Sequence, residues 1–192
     1  MPFVYLVPMR VFLAIAVPDG VKAQLLKAIE RLAPIATDVK WSTKDQFHLT
    51  LAFLGEVSPA ILPHVSEAVA RVCSGKPAFT CHAYGLGYFG SKRNPQTVWA
   101  GVDPVPELET LQENLWVQLK KFGFENKETD FRPHITLGRC RESARNHDLL
   151  RAMDADEDIE FGEWEATRIT LYESRLTPRG PVYRNLGQTH LD

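Results

Sequence analysis

Two histidine–threonine pairs occur at the same spacing in two apolar stretches of the chain. His48-Leu49-Thr50-Leu51 lies in the first half and His134-Ile135-Thr136-Leu137 in the second. Because alternate residues of a β-strand face the same side, each stretch would place an imidazole and a hydroxyl on one face and two aliphatic side chains on the other. Polar side chains are costly inside an apolar core unless they are hydrogen-bonded. The repetition therefore indicates one polar cleft that two strands share.

Histidine and threonine together suit chemistry at phosphorus. Histidine titrates near neutral pH, so a pair can hold one neutral and one protonated ring. The neutral ring can remove a proton from water while the imidazolium protonates the departing oxygen. Threonine hydroxyls can donate hydrogen bonds to the non-bridging phosphate oxygens. We therefore predict that His48 and His134 are catalytic and that Thr50 and Thr136 bind the phosphate.

A guanidinium just beyond the second pair is a candidate for bidentate phosphate recognition. Arg139 follows His134 by an odd number of residues, so strict strand alternation would point it to the opposite face. A bulge or a twist at Gly138 would be needed to bring it back to the face of the histidine. On that condition we predict that Arg139 also binds the phosphate.

Composition and charge exclude several classes of protein. The 192 residues carry 22 Lys and Arg against 24 Asp and Glu, a net charge of −2, whereas proteins that coat duplex nucleic acid are usually strongly basic. No stretch reaches the roughly 20 apolar residues that a membrane helix needs. The three cysteines, Cys73, Cys81 and Cys140, form no CxxC pair, which favours reduced thiols in the cytoplasm. The sequence has no HxH or HExxH motif, and we expect neither a metal nor a cofactor.

Strands and helices alternate along the sequence in a way that predicts a mixed α+β domain. Helices are expected at about Asp19–Ile35 with Asp19 as N-cap, from Ser58-Pro59 onward, at about Val105–Phe122 and around Asn146–Met153. Strands are expected at Arg10–Val17, Phe47–Leu54, Ala78–Leu86, Thr97–Val102, His134–Arg139, Ile159–Tyr172 and Val182–Leu186. The stretches Gly85–Gly90 and Ser91–Pro95 are expected to form a loop. We predict one two-lobed catalytic domain over residues 1–192, with residues 1–8 as an N-terminal extension and Met9 as an alternative start.

An ordered set of motifs around the two pairs resembles the 2H phosphoesterase superfamily, specifically the RNA 2′,3′-cyclic phosphodiesterases, also called 2′-5′ RNA ligases. The resemblance covers nearly the whole chain. Besides the two pairs, it includes Arg10–Ile15, Phe53–Val57, Val98–Val102, Phe131–Pro133, Leu171–Leu176 and Gly180–Tyr183.

The resemblance implies a bilobal α+β fold with two antiparallel-rich sheets, outer helices and pseudo-twofold symmetry around a central cleft. It implies metal-independent hydrolysis of an RNA terminal 2′,3′-cyclic phosphate to a 2′-phosphate. By this resemblance His48 would be the proton donor and His134 the acceptor, with Thr50, Thr136 and Arg139 holding the phosphate. The expected partners are RNA or oligonucleotide ends bearing the cyclic phosphate, with no membrane, and the chain is expected to be a monomer.

Other functions remain open at this point. The same histidine pair could join a cyclic phosphate end to a 5′-hydroxyl as a 2′-5′ RNA ligase, or hydrolyse another small cyclic nucleotide. A metal-dependent hydrolase would need a ligand motif that the sequence lacks. A non-catalytic module that recognises cyclic phosphate ends would not need both histidine–threonine pairs.

Overall fold

The strands and helices follow the predicted alternation. The computed structural model describes residues 7–127, 130–141, 147–156, 158–178 and 180–192, so residues 1–6 of the expected extension lie outside it. The strands are β1 (Met9–Ala16), β2 (Val39–Trp41), β3 (His48–Val57), β4 (Phe79–Ser91), β5 (Asn94–Val102), β6 (His134–Cys140), β7 (Glu160–Ala166), β8 (Arg168–Thr177) and β9 (Gly180–His190). The helices are α1 (Asp19–Leu32), α2 (Leu62–Cys73), α3 (Pro106–Lys120) and α4 (His147–Asp154), with 3₁₀ turns at Lys44–Gln46 and Pro59–Ile61.

The two histidine strands lie side by side at the centre of the sheet. Within the described residues the strand order is β7-β4-β5-β6-β3-β1-β8-β9, with β2 added beside β6, and every pairing is antiparallel. The register given for β3 and β6 is the pair Leu49 and Ile135, which are the residues directly after the two histidines. Four strands lie on either side of this pair, so a pseudo-twofold axis here would match β6, β5, β4 and β7 with β3, β1, β8 and β9. The predicted two-lobed α+β fold is confirmed, and its two sheets are continuous at this one point.

The aliphatic residues of both motifs form the floor of the site. Leu49, Leu51, Ile135 and Leu137 are each at most 2% exposed. Helix α1 covers the core with an apolar stripe at helical spacing, Val21, Leu25, Ile29 and Leu32, and α3 does the same with Leu108, Leu111, Leu115 and Leu119. Full burial of one such side chain stabilises the fold by about 1.5–3 kcal/mol. The core therefore fixes the strands whose opposite faces carry the histidines.

The residues expected to form a loop, Gly85–Gly90 and Ser91–Pro95, belong largely to two paired strands. Strand β4 runs through the first of these stretches and turns directly into β5, with Gly87 opposite Trp99 in the register. A Cβ atom on Gly87 would lie only 2.1 Å from the Trp99 ring. Gly87 therefore allows the indole of Trp99 to pack across the strand. The density of glycine in this stretch does not indicate a turn.

Two predicted helix starts also differ, and α1 ends at Leu32 instead of near Ile35. Asp19 is not the N-cap of α1 but its first residue, because Pro18 occupies the cap position, and its carboxylate still favours the positive helix N-terminus. The helix after Ser58 begins as the 3₁₀ turn before continuing as α2. Among the described residues, no helix combines the length and apolarity needed to cross a membrane.

Candidate active site

The five predicted site residues meet in one cleft between the two lobes. The cleft has a volume of about 230 Å³, and its lining includes His48, Thr50, His134, Thr136 and Arg139. Within each pair the histidine and threonine are half-buried, while the intervening Leu49 and Ile135 are fully buried. The alternation predicted from the sequence is therefore present in both strands.

Backbone carbonyls determine the tautomer of both imidazoles. Nδ1 of His48 lies 2.8 Å from the carbonyl oxygen of Gln46, and Nδ1 of His134 lies 2.7 Å from that of Arg132. A carbonyl oxygen only accepts, so Nδ1 carries the hydrogen in each ring. In the neutral form the lone pair is then on Nε2. The same contact, two residues back along the chain, orients the ring in each lobe.

Aromatic side chains enclose His48. Its ring centroid is 4.7 Å from that of Phe12 and 5.0 Å from that of Tyr183, which meets it edge-on. Burial among these groups disfavours the imidazolium and lowers the pKa of His48 to about 4, with nearby positive charges of the cleft acting in the same direction. His48 is therefore neutral at pH 7 in the unbound protein.

His134 has its own aromatic neighbours in the second lobe. Phe89 meets its ring edge-on at a centroid distance of 4.8 Å, and Trp99 lies 6.2 Å away. Both neighbours come from the β4–β5 hairpin, where Phe89 lies in the stretch predicted as a loop and Trp99 lies in the predicted strand Thr97–Val102. The aromatic surroundings of the two histidines therefore come from different elements in the two lobes.

A bulge in β6 brings Arg139 to the cleft, as the sequence required. In the β5–β6 register Val98 pairs with Gly138 and Trp99 with Thr136, so Leu137 is an extra residue on β6. This extra residue reverses the alternation and places Arg139 in the cleft lining with Thr136. Gly138 is needed here because a Cβ atom would lie 2.6 Å from Val39 and 2.9 Å from Trp41 of β2.

The first lobe has the same bulge with a different side chain beyond it. In the β1–β3 register Leu13 pairs with Ala52 and Ala14 with Thr50, so Leu51 is the extra residue. Phe53 then stands where Arg139 stands in the second lobe, and it also lines the cleft, 42% exposed. The pseudo-twofold axis therefore relates a cationic position to an aromatic one.

Sequence reasoning missed several residues of the cleft. Lys40 lies opposite Arg139 in the β2–β6 register and adds a second cation. Nothing local to Lys40 indicates this position, which depends on β2 crossing to the other lobe.

Tyr183 is half-buried in the lining, and burial raises the pKa of its phenol, so the hydroxyl remains a hydrogen-bond donor. The sequence signal for Tyr183 is its position at the end of the motif Gly180–Tyr183.

His82, which belongs to neither pair, lies in a separate charged cluster. Its Nδ1 is 2.9 Å from Asp103 and its Nε2 contacts Glu160. These hydrogen bonds, the one to Glu160 first, raise the pKa of His82. Among the described lining residues of the cleft His82 does not occur. It therefore links strands of the second lobe outside the cleft.

The fold and this cleft together define a two-lobed protein with one histidine–threonine strand in each lobe, which is the arrangement expected of a 2H phosphoesterase. The chain belongs to the 2′-5′ RNA ligase superfamily, whose family profile matches residues 17–177.

Curated relatives and solved structures agree with this membership. The chain is 37% identical to an RNA 2′,3′-cyclic phosphodiesterase of Thermotoga maritima over 93% of each chain. It is 34% identical to one of Archaeoglobus fulgidus, covering 93% of this chain and 98% of the relative. TT0787 of Thermus thermophilus matches with a TM-score of 0.82 and 29% identity over 95% of this chain and 98% of that one. Escherichia coli LigT complexed with 3′-AMP matches at 0.78 and 28%, over 96% and 98%.

Proposed function

We propose that the protein hydrolyses RNA terminal 2′,3′-cyclic phosphates to 2′-phosphates. The observation that carries the proposal is the convergence of two imidazoles, two threonine hydroxyls and a guanidinium on one cleft. The relatives named RNA 2′,3′-cyclic phosphodiesterase match over almost the whole chain. A cyclic phosphodiester needs one proton removed from water and one delivered to the departing oxygen, which is what two histidines can supply.

In the proposed reaction water attacks phosphorus in line with the 3′-oxygen. The lone pair on Nε2 of His134 takes the proton from water as the new P–O bond forms. The bond from phosphorus to the 3′-oxygen breaks, and Nε2–H of His48 donates a proton to that oxygen. Thr50, Thr136 and Arg139 donate hydrogen bonds to the non-bridging oxygens, where negative charge increases in the transition state.

The donor role of His48 requires a change in its pKa. The unbound ring is neutral at pH 7 because burial lowers its pKa to about 4. An anionic phosphate bound beside it would favour the imidazolium, and the same burial that excludes water strengthens this interaction. We therefore infer that substrate binding raises the pKa of His48 and that the proton is taken up with the substrate.

Incubation with a short RNA that ends in a 2′,3′-cyclic phosphate tests the proposal. The expected product is the same RNA with a 2′-phosphate, identified by mass and by comparison with authentic 2′- and 3′-phosphates. A product joined through a 2′-5′ linkage in the presence of a 5′-hydroxyl RNA would indicate ligation instead. A protein that leaves the cyclic phosphate intact in both assays would contradict the proposal.

We also propose that the reaction is metal-independent. The paired histidines supply the proton transfers for which other hydrolases use a metal-bound hydroxide. Hydrolysis is therefore expected to continue at an unchanged rate in excess EDTA. Loss of activity in EDTA that one divalent ion restores would show that the histidines do not suffice.

We also propose that the protein works in a reducing compartment and that it is a monomer. The structure describes all three cysteines, and each is a free thiol. Burial raises the pKa of Cys73 to about 11 and that of Cys81 to about 12, which keeps both thiols protonated and unreactive. These thiols suit the cytoplasm, and the cleft is built from one chain. Light scattering of the purified protein measures the oligomeric state directly.

A further inference from the structure

A second, larger cleft adjoins the histidine cleft. Its volume is about 570 Å³, and it shares Thr50 and Phe53 with the histidine cleft. One wall is the strand edge of β3 from Leu51 to Glu56. In the described registers β6 meets β3 at Leu49, so this edge has no strand beside it. The two clefts are therefore continuous along β3.

A departure from the pseudo-twofold symmetry explains why this space exists. In the second lobe the matching edge of β6 is covered by β2, which lies nine to seven residues before His48. The residues nine to seven before His134 are Glu125, Asn126 and Lys127. In the described part of the chain they form no strand, and they line the opposite wall of the larger cleft. The first lobe thus has a gap where the second lobe has a strand.

The walls of the gap carry groups that suit single-stranded RNA. Phe53 and Phe124 supply aromatic rings, and Arg10 and Lys127 supply positive charge. Aromatic stacking and cations that contact the backbone are the usual means of binding single strands. Glu56 and Glu125 also line the gap. Their carboxylates disfavour a phosphate beside them but can accept hydrogen bonds from the amino groups of nucleobases.

We propose that this cleft binds the nucleotide on the 5′ side of the terminal cyclic phosphate. The proposal rests on the proposed function, because it takes the histidine cleft to hold the cyclic phosphate itself. The 5′-oxygen of the terminal ribose continues into the RNA chain, which must leave the histidine cleft by one of its ends. The end at Thr50 and Phe53 opens into the larger cleft, whose lining carries the aromatic rings and the positive side chains described above.

The other end of the histidine cleft is less suited to a nucleotide. A pocket there shares Thr97 and Arg139 with the histidine cleft. Its described lining holds no aromatic ring, and Arg139 is already assigned to the phosphate. The gap beside β3 is therefore the route that the observations favour.

The test compares two substrates that differ by one upstream nucleotide. We measure kcat/KM for cytidine 2′,3′-cyclic phosphate and for a dinucleotide that ends in the same group. The wild-type protein is expected to prefer the dinucleotide by roughly 5- to 150-fold, the range of one base-stacking interaction. A dinucleotide with a neutral methylphosphonate linkage is expected to lose part of this preference, because Arg10 and Lys127 then have no charge to contact.

Variants connect the preference to the gap. Lys127→Ala and Phe124→Leu are each expected to reduce the ratio of the two kcat/KM values at least about threefold. Lys27→Ala is the matched control, since Lys27 is an exposed lysine on α1 and is not among the described residues lining either cleft. It is expected to keep the wild-type ratio. Lys127 is also exposed, so this variant remains informative if Phe124→Leu fails to fold.

The outcomes separate the two proposals. Failure to hydrolyse either substrate would contradict the proposed function. Hydrolysis of both with equal kcat/KM would overturn the upstream subsite and leave the proposed function standing. A preference for the dinucleotide that Lys127→Ala and Phe124→Leu leave intact, but Gln96→Ala removes, would place the upstream nucleotide at the other end.

Discussion

Arg139 is the residue whose contribution depends most on the shape of its side chain. A guanidinium can donate two parallel hydrogen bonds to a phosphate, whereas an ammonium acts as a point charge. Arg139→Lys is therefore expected to lower kcat/KM at least about tenfold although the charge is kept. Arg151→Lys on α4, also exposed, is the control and is expected to change nothing. Equal kinetics for Arg139→Lys and the wild type would assign Arg139 a structural role.

The two histidines can be distinguished by the leaving group of the substrate. A proton donor matters most when the departing oxygen is a poor leaving group such as a ribose hydroxyl. If His48 is the donor, His48→Ala should lose about 10²–10⁴-fold in kcat on the ribose cyclic phosphate and much less on an aryl phosphodiester. His134→Ala should lose heavily on both, because water still needs a base.

This comparison has its own controls. Both variants must give the circular dichroism spectrum of the wild type, and the cyclic phosphate must inhibit hydrolysis of the aryl ester competitively. If the aryl ester rescues His134→Ala and not His48→Ala, the roles are reversed. That result would agree with the neutral state of His48 in the unbound protein and would mean that substrate does not raise its pKa enough.

At the scale of the elements, the β6 bulge is the feature that assembles the site. Gly138→Ala would place a methyl group within 2.6 Å of Val39 and 2.9 Å of Trp41. We expect β2 to shift away from β6, with a loss of about 1–3 kcal/mol in the free energy of unfolding and a fall in kcat/KM as Arg139 moves. Denaturant unfolding and steady-state kinetics measure the two effects.

Gly20→Ala is the matched control for this substitution. A Cβ atom on Gly20 meets nothing within 4 Å, and the residue lies in the first turn of α1. Alanine is the better helix former, so the variant is expected to be neutral or more stable by up to about 1 kcal/mol. If Gly138→Ala behaves like Gly20→Ala, the bulge does not depend on glycine.

The elements that the sequence predicts well are those with a strong local pattern. The β3 and β6 motifs, the spacing of Val21, Leu25, Ile29 and Leu32 on α1, and the need for a bulge or a twist before Arg139 all follow from the sequence. The strands Ala78–Leu86 and Thr97–Val102 were predicted, but residues 85–95 between them were wrongly expected to form a loop, because Gly87 serves a packing contact with Trp99 that no local pattern contains. Lys40 and Phe53 could not be placed, since their positions depend on which strand β2 joins and on a second bulge in β3.

At the scale of the whole molecule, His48 makes the folded state sensitive to acid. Its pKa is about 4 in the folded protein and near 6.5 in the unfolded chain. Between these values the unfolded chain binds more protons, so stability falls as the pH falls. The full effect is about 3 kcal/mol, reached near pH 4. His48→Gln is expected to remove this part of the acid sensitivity in denaturant unfolding measured from pH 7 to pH 4.

His82 has the opposite sign, so the two histidines shift the pH of maximum stability in opposite directions. Its pKa is raised by the hydrogen bonds to Glu160 and Asp103. The stabilisation from this cluster is therefore fully present below the unfolded value near 6.5 and is lost as the pH rises through the folded value. The difference in the free energy of unfolding between the wild type and His82→Gln should shrink from pH 6 toward pH 9. For His48→Gln the corresponding difference should change between pH 4 and pH 6.5 instead. A His82→Gln difference that stays constant over this range would show that the cluster does not hold a proton more tightly in the folded state.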